Sequence, residues 1–311
     1  MDSGSQAGMT RKDMNIFSKK PTIVVHDGRF HADDIFACAT LQILLKGTGK
    51  IVRTRDPNII AQADYVMDVG GIYDPAQKRF DHHQHGGAGV RENGIPYAAF
   101  GLVWKEYGAA ISGAPEIAAR VESVLVLPID AGDNGITTFD SITGKPFPYL
   151  IQSAFSSFMP TWKEGDITDA HFLKLAGTAQ AILEREITQA RDYIEGDREL
   201  KKIYDAAPDK RVLVFDRMYP WEGILTQYPE PLLIVGSRDG KRWKVEGTLV
   251  APGAFERRLY MPKEWAGLRD EELQKVSGVA DAVFCHNGRF IATAKTKEGA
   301  LALAKIALEK K

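Results

Sequence analysis

Residues 22–34 read Thr22-Ile23-Val24-Val25-His26-Asp27-Gly28-Arg29-Phe30-His31-Ala32-Asp33-Asp34. The first four residues are β-branched and predict a strand, Thr22–Val25. A helix is predicted from Asp33 to Leu45, because apolar residues recur along it and Gly47 follows its end. A strand that leads through a short polar loop into a helix is the start of a βαβ unit.

The same alternation of strand and helix continues after this stretch. Ile51–Arg53 is a predicted strand, Asp56-Pro57 begins a helix, and Tyr65–Val69 is a third predicted strand. The resulting βαβαβ order predicts a parallel sheet, in which ligands bind beyond the carboxyl ends of the strands. His26 and Asp68 stand at or just beyond two of these ends, so we expect them to converge in space.

Histidines are concentrated in this part of the chain. Five of the seven histidines lie between His26 and His85, in clusters that also contain aspartates. Neutral imidazole together with carboxylate suits Mn²⁺, Fe²⁺, Co²⁺ or Zn²⁺, whereas Mg²⁺ and Ca²⁺ prefer all-oxygen ligands. The pattern therefore predicts a site for a first-row divalent metal. The alternative is a coincidental set of structural histidines.

The composition is typical of a soluble globular protein. The 311 residues are 44% hydrophobic and 26% charged, with a net charge of −1, which excludes a polybasic protein that binds nucleic acid by charge alone. Cys38 and Cys285 form neither a disulfide framework nor a zinc motif, which favours a reducing, cytoplasmic location. No apolar run approaches the roughly 18 residues of a membrane helix, so no membrane partner is expected.

The order of the remaining elements predicts two domains. Helices are expected at 97–107, from Pro115 to about Leu127, and from about Asp169 to Tyr204. A second series of strands follows at 211–215, 232–235, 243–245, 283–285 and 290–292, and a helix at 297–309 ends the chain. We therefore expect a flexible extension at 1–20, a metal-binding domain at 21–207 and a smaller α/β domain at 208–311.

Five motifs spread over the chain resemble those of a known family. They lie at 26–34, 81–84, 129–136, 265–270 and 284–291, and the second contains Asp81-His82-His83. Together they resemble the melanocyte-proliferating-gene-1 (Myg-one) protein family of the DHH phosphoesterase superfamily. The resemblance implies a DHH-phosphoesterase-like N-terminal domain with a largely parallel sheet and a smaller C-terminal α/β domain. It also implies two divalent metal ions, with manganese the expected metal.

The same resemblance implies roles for individual residues. The implied metal ligands are His26, Asp33, Asp68 as the carboxylate shared between ions, His82, and either Asp130 or Asp133. His83 would lie beside the scissile phosphate and act with Asp68 in catalysis. His31 stands where the superfamily usually has an aspartate, so the ligand set is softer and the identity of the metal stays open. Spacing does not decide between Asp130 and Asp133.

The implied function is a 3′–5′ exonuclease that acts on RNA or short oligonucleotides through a water activated by two metals. His286 and Arg289 resemble a substrate-binding motif of the superfamily, although a simple hairpin turn at Asn287-Gly288 explains the same residues. Alternatives are a phosphatase for pAp-like nucleotides, a pyrophosphatase, or a non-catalytic, metal-stabilised binding protein. A homodimer is left open. No interleaving of aromatic and basic residues is visible, so the RNA substrate rests on the resemblance.

Overall fold

The computed structural model describes residues 20–136, 139, 148–165 and 167–310. Apart from Lys20, the predicted extension lies outside these residues. The chain divides into two compact units, Met1–Ile187 and Thr188–Lys311, and the division falls within a helix, Thr168–Ala206. The domain limit at residue 207 follows the end of this helix and stays a prediction.

The sheet of the first unit is largely parallel, as predicted. Its strands are β1 (Thr22–Val25), β2 (Lys50–Arg53), β3 (Tyr65–Met67), β4 (Tyr73–Asp74) and β5 (Arg79–Phe80), in the order β2-β1-β3-β5-β4. β1 pairs in parallel with β2 and β3, and β3 with β5, whereas β4 runs antiparallel to β5. The α/β class is confirmed. β4 and β5 have two residues each, too few for an alternating pattern to predict them.

The helices of the first unit are α1 (Ala32–Leu44), α2 (Pro57–Gln62), α3 (Ala99–Ser112), α4 (Pro115–Val121), a π-helical segment (Glu122–Val126), α5 (Leu127–Asp133), α6 (Ile151–Ser156) and α7 (Thr168–Ala206). Helix α1 packs against α3, α5 and α6, and the last helix, α7, is the one that the division between the units crosses. α1 is buried along its first ten residues, and its Phe36 ring stacks on Phe100 of α3 with centroids 5.2 Å apart. The helix predicted from Pro115 to about Leu127 corresponds to α4, the π-helical segment and the start of α5, and the helical backbone continues to Asp133.

The parallel strands place the polar residues at one edge of the sheet. β1 ends at Val25, β3 at Met67 and β5 at Phe80, and each strand is followed at once by a histidine or an aspartate. β3 is shorter than the predicted Tyr65–Val69 because Asp68 has a left-handed backbone, with φ 55°. The chain therefore leaves the sheet at Asp68. The Asp68 side chain points toward the ends of the neighbouring strands β1 and β5.

The second unit contains a mixed sheet. Its strands are β6 (Val212–Val214), β7 (Leu233–Ser237), β8 (Trp243–Gly247), β9 (Ala282–Cys285) and β10 (Ile291–Ala294), in the order β6-β7-β8-β10-β9. β6 and β7 are parallel, and the other pairs are antiparallel. Its helices are α8 (Trp221–Ile224), α9 (Asp270–Ser277) and α10 (Lys297–Glu309), the last as predicted.

One face of this second sheet packs against α10. Leu303 of α10, Val245 of β8 and Leu233 of β7 are fully buried in the same apolar cluster. In the described part of the chain, no helix is both long and apolar enough to cross a membrane.

Candidate metal centre

The carboxylate of Asp68 lies between two histidines. Its Oδ2 is 3.1 Å from Nε2 of His26, and its Oδ1 is 3.1 Å from Nε2 of His82. These three side chains come from the ends of β1, β3 and β5, and all are largely excluded from solvent. A carboxylate that offers one oxygen to each of two imidazole-lined positions has the geometry of a bridging ligand.

Two helices complete the cluster. Asp33 lies in the first turn of α1 and is fully buried, and its Oδ2 is 4.0 Å from Nε2 of His82. Asp133 ends α5, and its Oδ2 is 3.4 Å from the same nitrogen. His31, at the N-terminus of α1, is half exposed, with its Nδ1 3.9 Å from Oδ1 of Asp133.

Three groups of side chains place their ligand atoms within 4.8 Å of one another. These groups are His26, His31 and Asp68; His31, Asp33 and Asp133; and Asp68, His82 and His83. The structure thus brings together every residue assigned to the metal from the sequence except Asp130.

Charge is concentrated in this cluster. Burial by itself lowers the pKa of His26, but hydrogen bonds to Asp34 and Asp68 outweigh it and raise that pKa to about 10. Burial would raise the pKa of Asp68, yet the two histidines hold it below its ordinary value. Burial and the neighbouring carboxylates raise the pKa of Asp33 well above its ordinary value. Without a cation, the cluster therefore keeps protons that a metal ion would displace.

Unpartnered polar atoms show that the cluster fits a metal ion. Both carboxylate oxygens of Asp33 are buried without a hydrogen-bond partner, and Oδ1 of Asp68 and Nε2 of His82 have none besides each other, at 3.1 Å. A buried polar atom without a partner costs free energy, which a bound cation would offset. Nδ1 of His26 lies 2.8 Å from the carbonyl oxygen of Asp27, which can only accept, so Nδ1 carries the hydrogen. This arrangement leaves Nε2 as the ligand atom, as is usual for metal-binding histidines.

Asp130 lies outside the cluster. Its Oδ2 accepts a hydrogen bond of 2.7 Å from Arg91, and its Oδ1 accepts one of 3.0 Å from the backbone of Gly101. Burial raises the pKa of Asp130 to about 7, although Arg91 opposes the shift. Asp130 therefore connects α5 to α3 and to Arg91. One turn along α5, Asp133 reaches the metal cluster instead.

Asp81 positions the histidines that follow it. Its Oδ1 accepts hydrogen bonds from the backbone of His82 at 2.8 Å and from Nδ1 of His83 at 2.8 Å, while its Oδ2 accepts one from the backbone of Gly71 at 2.5 Å. Sequence analysis assigned no role to Asp81. An aspartate whose side chain accepts hydrogen bonds from the backbone N–H groups that follow it forms a common type of turn. Such turns are hard to recognise from the sequence alone.

Asp34 is a second residue without a role assigned from the sequence. Its Oδ1 accepts a hydrogen bond of 3.1 Å from the backbone of His31, and its Oδ2 lies 3.0 Å from Nε2 of His26. The side chain thus closes the N-terminus of α1 and contacts the metal cluster at the same time. Asp34 lies three residues after the N-cap residue His31, and this spacing is the one sequence signal for its hydrogen bond to the His31 backbone.

His286 and Arg289 lie in the second unit, in the turn between β9 and β10. These strands are antiparallel, and the backbone N–H of Arg289 donates to the carbonyl of His286 at 2.8 Å, which closes a hairpin turn. Nη1 of Arg289 donates to the carbonyl of Met261 at 3.1 Å, and His286 is exposed. The hairpin is therefore present, and a role of the two residues in substrate binding stays a prediction.

The sequence as a whole is similar to a protein family and to its members in distant organisms. The family model MYG1_exonuc, described as "Uncharacterised protein family (UPF0160)", matches residues 22–308. The MYG1 protein of Schizosaccharomyces pombe is 30% identical over 315 residues, which cover 92% of this chain and 97% of that protein. The MYG1 exonuclease of Homo sapiens is 30% identical over 329 residues, covering 93% of this chain and 86% of that protein.

A bacterial relative and a solved structure are also similar. The MYG1 protein of Chlamydia muridarum is 31% identical over 294 residues, which cover 89% of this chain and 93% of that protein. A solved structure titled as the DHH domain of a member of a ribosomal protein family is 15% identical, with a TM-score of 0.28. The structural alignment covers 94% of this chain and 87% of the chain in that structure.

Proposed function

This chain belongs to the MYG1_exonuc family, and on that premise we propose that it is a divalent-metal-dependent phosphoesterase, specifically a 3′–5′ exonuclease on RNA or short oligonucleotides. The observation that carries the proposal is the position of Asp68 between His26 and His82, among buried ligand atoms that have no other partner. Relatives named MYG1 exonuclease support the choice of a nuclease reaction.

The ligands of two ions can be divided around Asp68. His26 lies beside its Oδ2, and His82 lies beside its Oδ1 with Asp33 and Asp133 close by. His31 is within reach of both sets, since it groups with His26 and Asp68 and also with Asp33 and Asp133. We therefore assign Asp133, rather than Asp130, as the metal ligand of this motif. Asp130 instead holds α5 against α3. When bound, two divalent ions would activate a water and neutralise the charge that develops on the phosphate. We expect manganese, although the imidazole of His31 makes the site softer than an all-carboxylate one.

We propose His83 as the proton donor. Its side chain is 63% exposed, and Nδ1 lies on the carboxylate of Asp81, so Nε2 faces away from this anchor. In the proposed hydrolysis, water attacks the phosphorus of the last internucleotide bond and gives up a proton to solvent, while the bond from phosphorus to the 3′ oxygen breaks and that oxygen takes up a proton. His83 would donate this proton from Nε2, and Asp81 would hold its ring in orientation.

The test uses single-stranded RNA labelled at its 5′ end, with Mn²⁺ present or chelated. The protein should shorten the RNA stepwise from the 3′ end, and Asp68→Asn should abolish the reaction and the binding of the metal pair. Asparagine is the informative substitution because it tolerates the left-handed backbone of Asp68 better than alanine does. Asp64→Asn is the matched control, since Asp64 is an exposed carboxylate just before the other end of β3.

A panel of pAp, pyrophosphate and short DNA separates the proposed nuclease from its alternatives. Faster turnover of pAp or pyrophosphate than of RNA would replace the exonuclease by a small-molecule phosphatase. One tightly held zinc ion that is unchanged in Asp68→Asn, without turnover of any substrate, would indicate a metal-stabilised binding protein instead.

A further inference from the structure

Arg53 is a buried cation to which the proposed hydrolysis assigns no role. It is the last residue of β2 and pairs with Val25, the last residue of β1, after which the chain continues directly to His26. The side chain of Arg53 is only 2% exposed. Because a guanidinium group is rarely buried to this degree unless it is paired, the partners of Arg53 indicate what the residue does.

The guanidinium of Arg53 connects two parts of the chain. Its Nη2 donates a hydrogen bond of 2.7 Å to the carbonyl oxygen of Gly28, and its Nη1 donates one of 2.6 Å to Oδ1 of Asp169, in the first turn of α7. The same guanidinium lies 4.6 Å from the ring centroid of Phe172, on the same helix. The planar fork of arginine holds a carbonyl and a carboxylate at once in fixed directions, which the flexible ammonium of lysine does not do.

Gly28 lies within the loop that carries two of the proposed metal ligands. The loop runs from His26 to His31, and Gly28 has a left-handed backbone, with φ 76°, which glycine adopts without strain. Phe30 of this loop is fully buried, and its ring meets that of Phe172 edge to face, with centroids 6.1 Å apart. The loop is therefore held against the start of α7 at two points, the carbonyl of Gly28 and the ring of Phe30.

Arg55, two residues further along the chain, makes a weaker contact with the same loop. Its Nε lies 3.3 Å from Oδ1 of Asp27, but both side chains are more than half exposed. An exposed ion pair contributes little, because solvent screens the charges and two long side chains must be ordered. The buried contacts of Arg53 thus fix the loop, and Arg55 provides a matched control.

We infer that Arg53 is a positioning residue of the metal centre, and that Asp169, although largely exposed, acts on metal affinity through it. Arg53 fixes the carbonyl of Gly28 and thereby the orientation of His26 and His31. Groups that orient metal ligands from outside the coordination shell change metal affinity without touching the ion. This role rests on the metal site of the proposed function, but it is independent of which phosphate ester is hydrolysed.

Calorimetric titration of the metal-free, full-length chain with Mn²⁺ tests this role. Arg53→Lys keeps the charge but loses the fork, and it should weaken Mn²⁺ binding roughly 10- to 100-fold, the range for lost outer-shell partners. Asp169→Asn should weaken binding roughly 2- to 30-fold, the range for coupling between separated groups. Asp169 is 71% exposed, so this variant should fold even if Arg53→Lys does not. Asp169→Glu restores the carboxylate and should recover most of the affinity.

The visible absorption of bound Co²⁺ gives a second readout. At saturating Co²⁺ the bands depend on the arrangement of the ligands and no longer on affinity. The spectrum of Asp169→Asn should differ from that of the wild type, whereas Asp169→Glu and the control Arg55→Gln should match the wild type. A merely structural ion pair would lower the Tm in EDTA but leave the spectrum and the Mn²⁺ affinity unchanged, and that result would overturn the inference.

The remaining outcomes separate this role from the proposed function. Equal weakening of Mn²⁺ binding in Arg55→Gln and Asp169→Asn would overturn the role of Arg53 and leave the metal site in place. Metal binding that depends on Asp169, in a chain that hydrolyses no phosphodiester, would support the inference and overturn the proposed exonuclease. A wild-type chain that binds neither Mn²⁺ nor Co²⁺ would overturn both.

Discussion

His82 and His83 are adjacent, with ring centroids 4.3 Å apart, but their surroundings differ. His82 is largely buried, and its Nε2 points at the carboxylates of Asp68 and Asp133. His83 is mostly exposed and is held by Asp81. Burial lowers the pKa of His82, but its contact with Asp68 raises it overall, as expected where a proton occupies the position of a cation.

Substitution of each histidine should therefore have a different effect. His82→Ala should lower metal occupancy, because it removes a ligand atom from the centre of the cluster. His83→Ala should keep the metal but lower kcat by roughly 10²–10⁴-fold, the range for a lost general acid. Metal analysis of the purified variants together with steady-state kinetics checks both effects. Equal metal loss in the two variants would make His83 a ligand.

At the scale of elements, α3 and α5 meet where α3 has a glycine in its interior. A Cβ added to Gly101 would overlap the carboxylate of Asp130 and the guanidinium of Arg91. Glycine lowers the stability of a helix by about 1 kcal/mol relative to alanine. Here its lack of a side chain leaves room against α3 for the ion pair between Asp130 of α5 and Arg91, which precedes α3.

Gly101→Ala should lower the free energy of unfolding by roughly 1–3 kcal/mol, because overpacking displaces the Asp130–Arg91 pair. Gly177→Ala is the control, since Gly177 lies in helix α7 with no atom within 4 Å of an added Cβ. That change should raise the free energy of unfolding by about 1 kcal/mol through helix propensity. Chemical denaturation measures both, and stabilisation by Gly101→Ala would contradict this packing of α3 on α5.

At the scale of the whole molecule, metal binding and pH should be linked. In the metal-free chain the pKa of His26 is raised from 6.5 to about 10. A raised pKa of this kind stabilises the folded chain fully below pH 6.5, and that stabilisation is lost as the pH rises toward 10. A metal ion must displace the same proton, so its affinity should increase with pH over this range.

The increase in Tm caused by a given Mn²⁺ concentration should therefore be larger at about pH 8 than at about pH 6. Asp68→Asn should show little increase at either pH. Hydrogen exchange should locate the added protection in the first unit, at 26–34 and 66–83, rather than in β7 and β8 of the second. A Tm increase that is independent of pH, or added protection confined to the second unit, would contradict the assignment of the site.

Most of the first unit's architecture follows from short-range pattern. β-branched runs predict β1 and β2, Asp56-Pro57 marks the start of α2, and Gly47 lies just past the end of α1. These features depend on residues only a few positions apart, which is the range over which propensity and capping act. The two-residue strands β4 and β5 escape such reasoning because their pairing partners stabilise them, not their own sequence.

The amino-acid sequence by itself determined the α/β class, the family, and the set of histidines and aspartates from which a metal site could be built. Only the tertiary structure separated Asp133, which reaches the cluster, from Asp130, which pairs with Arg91. The physical reason is that propensity is local, whereas ligand geometry, burial and stacking depend on contacts between residues that only folding brings together.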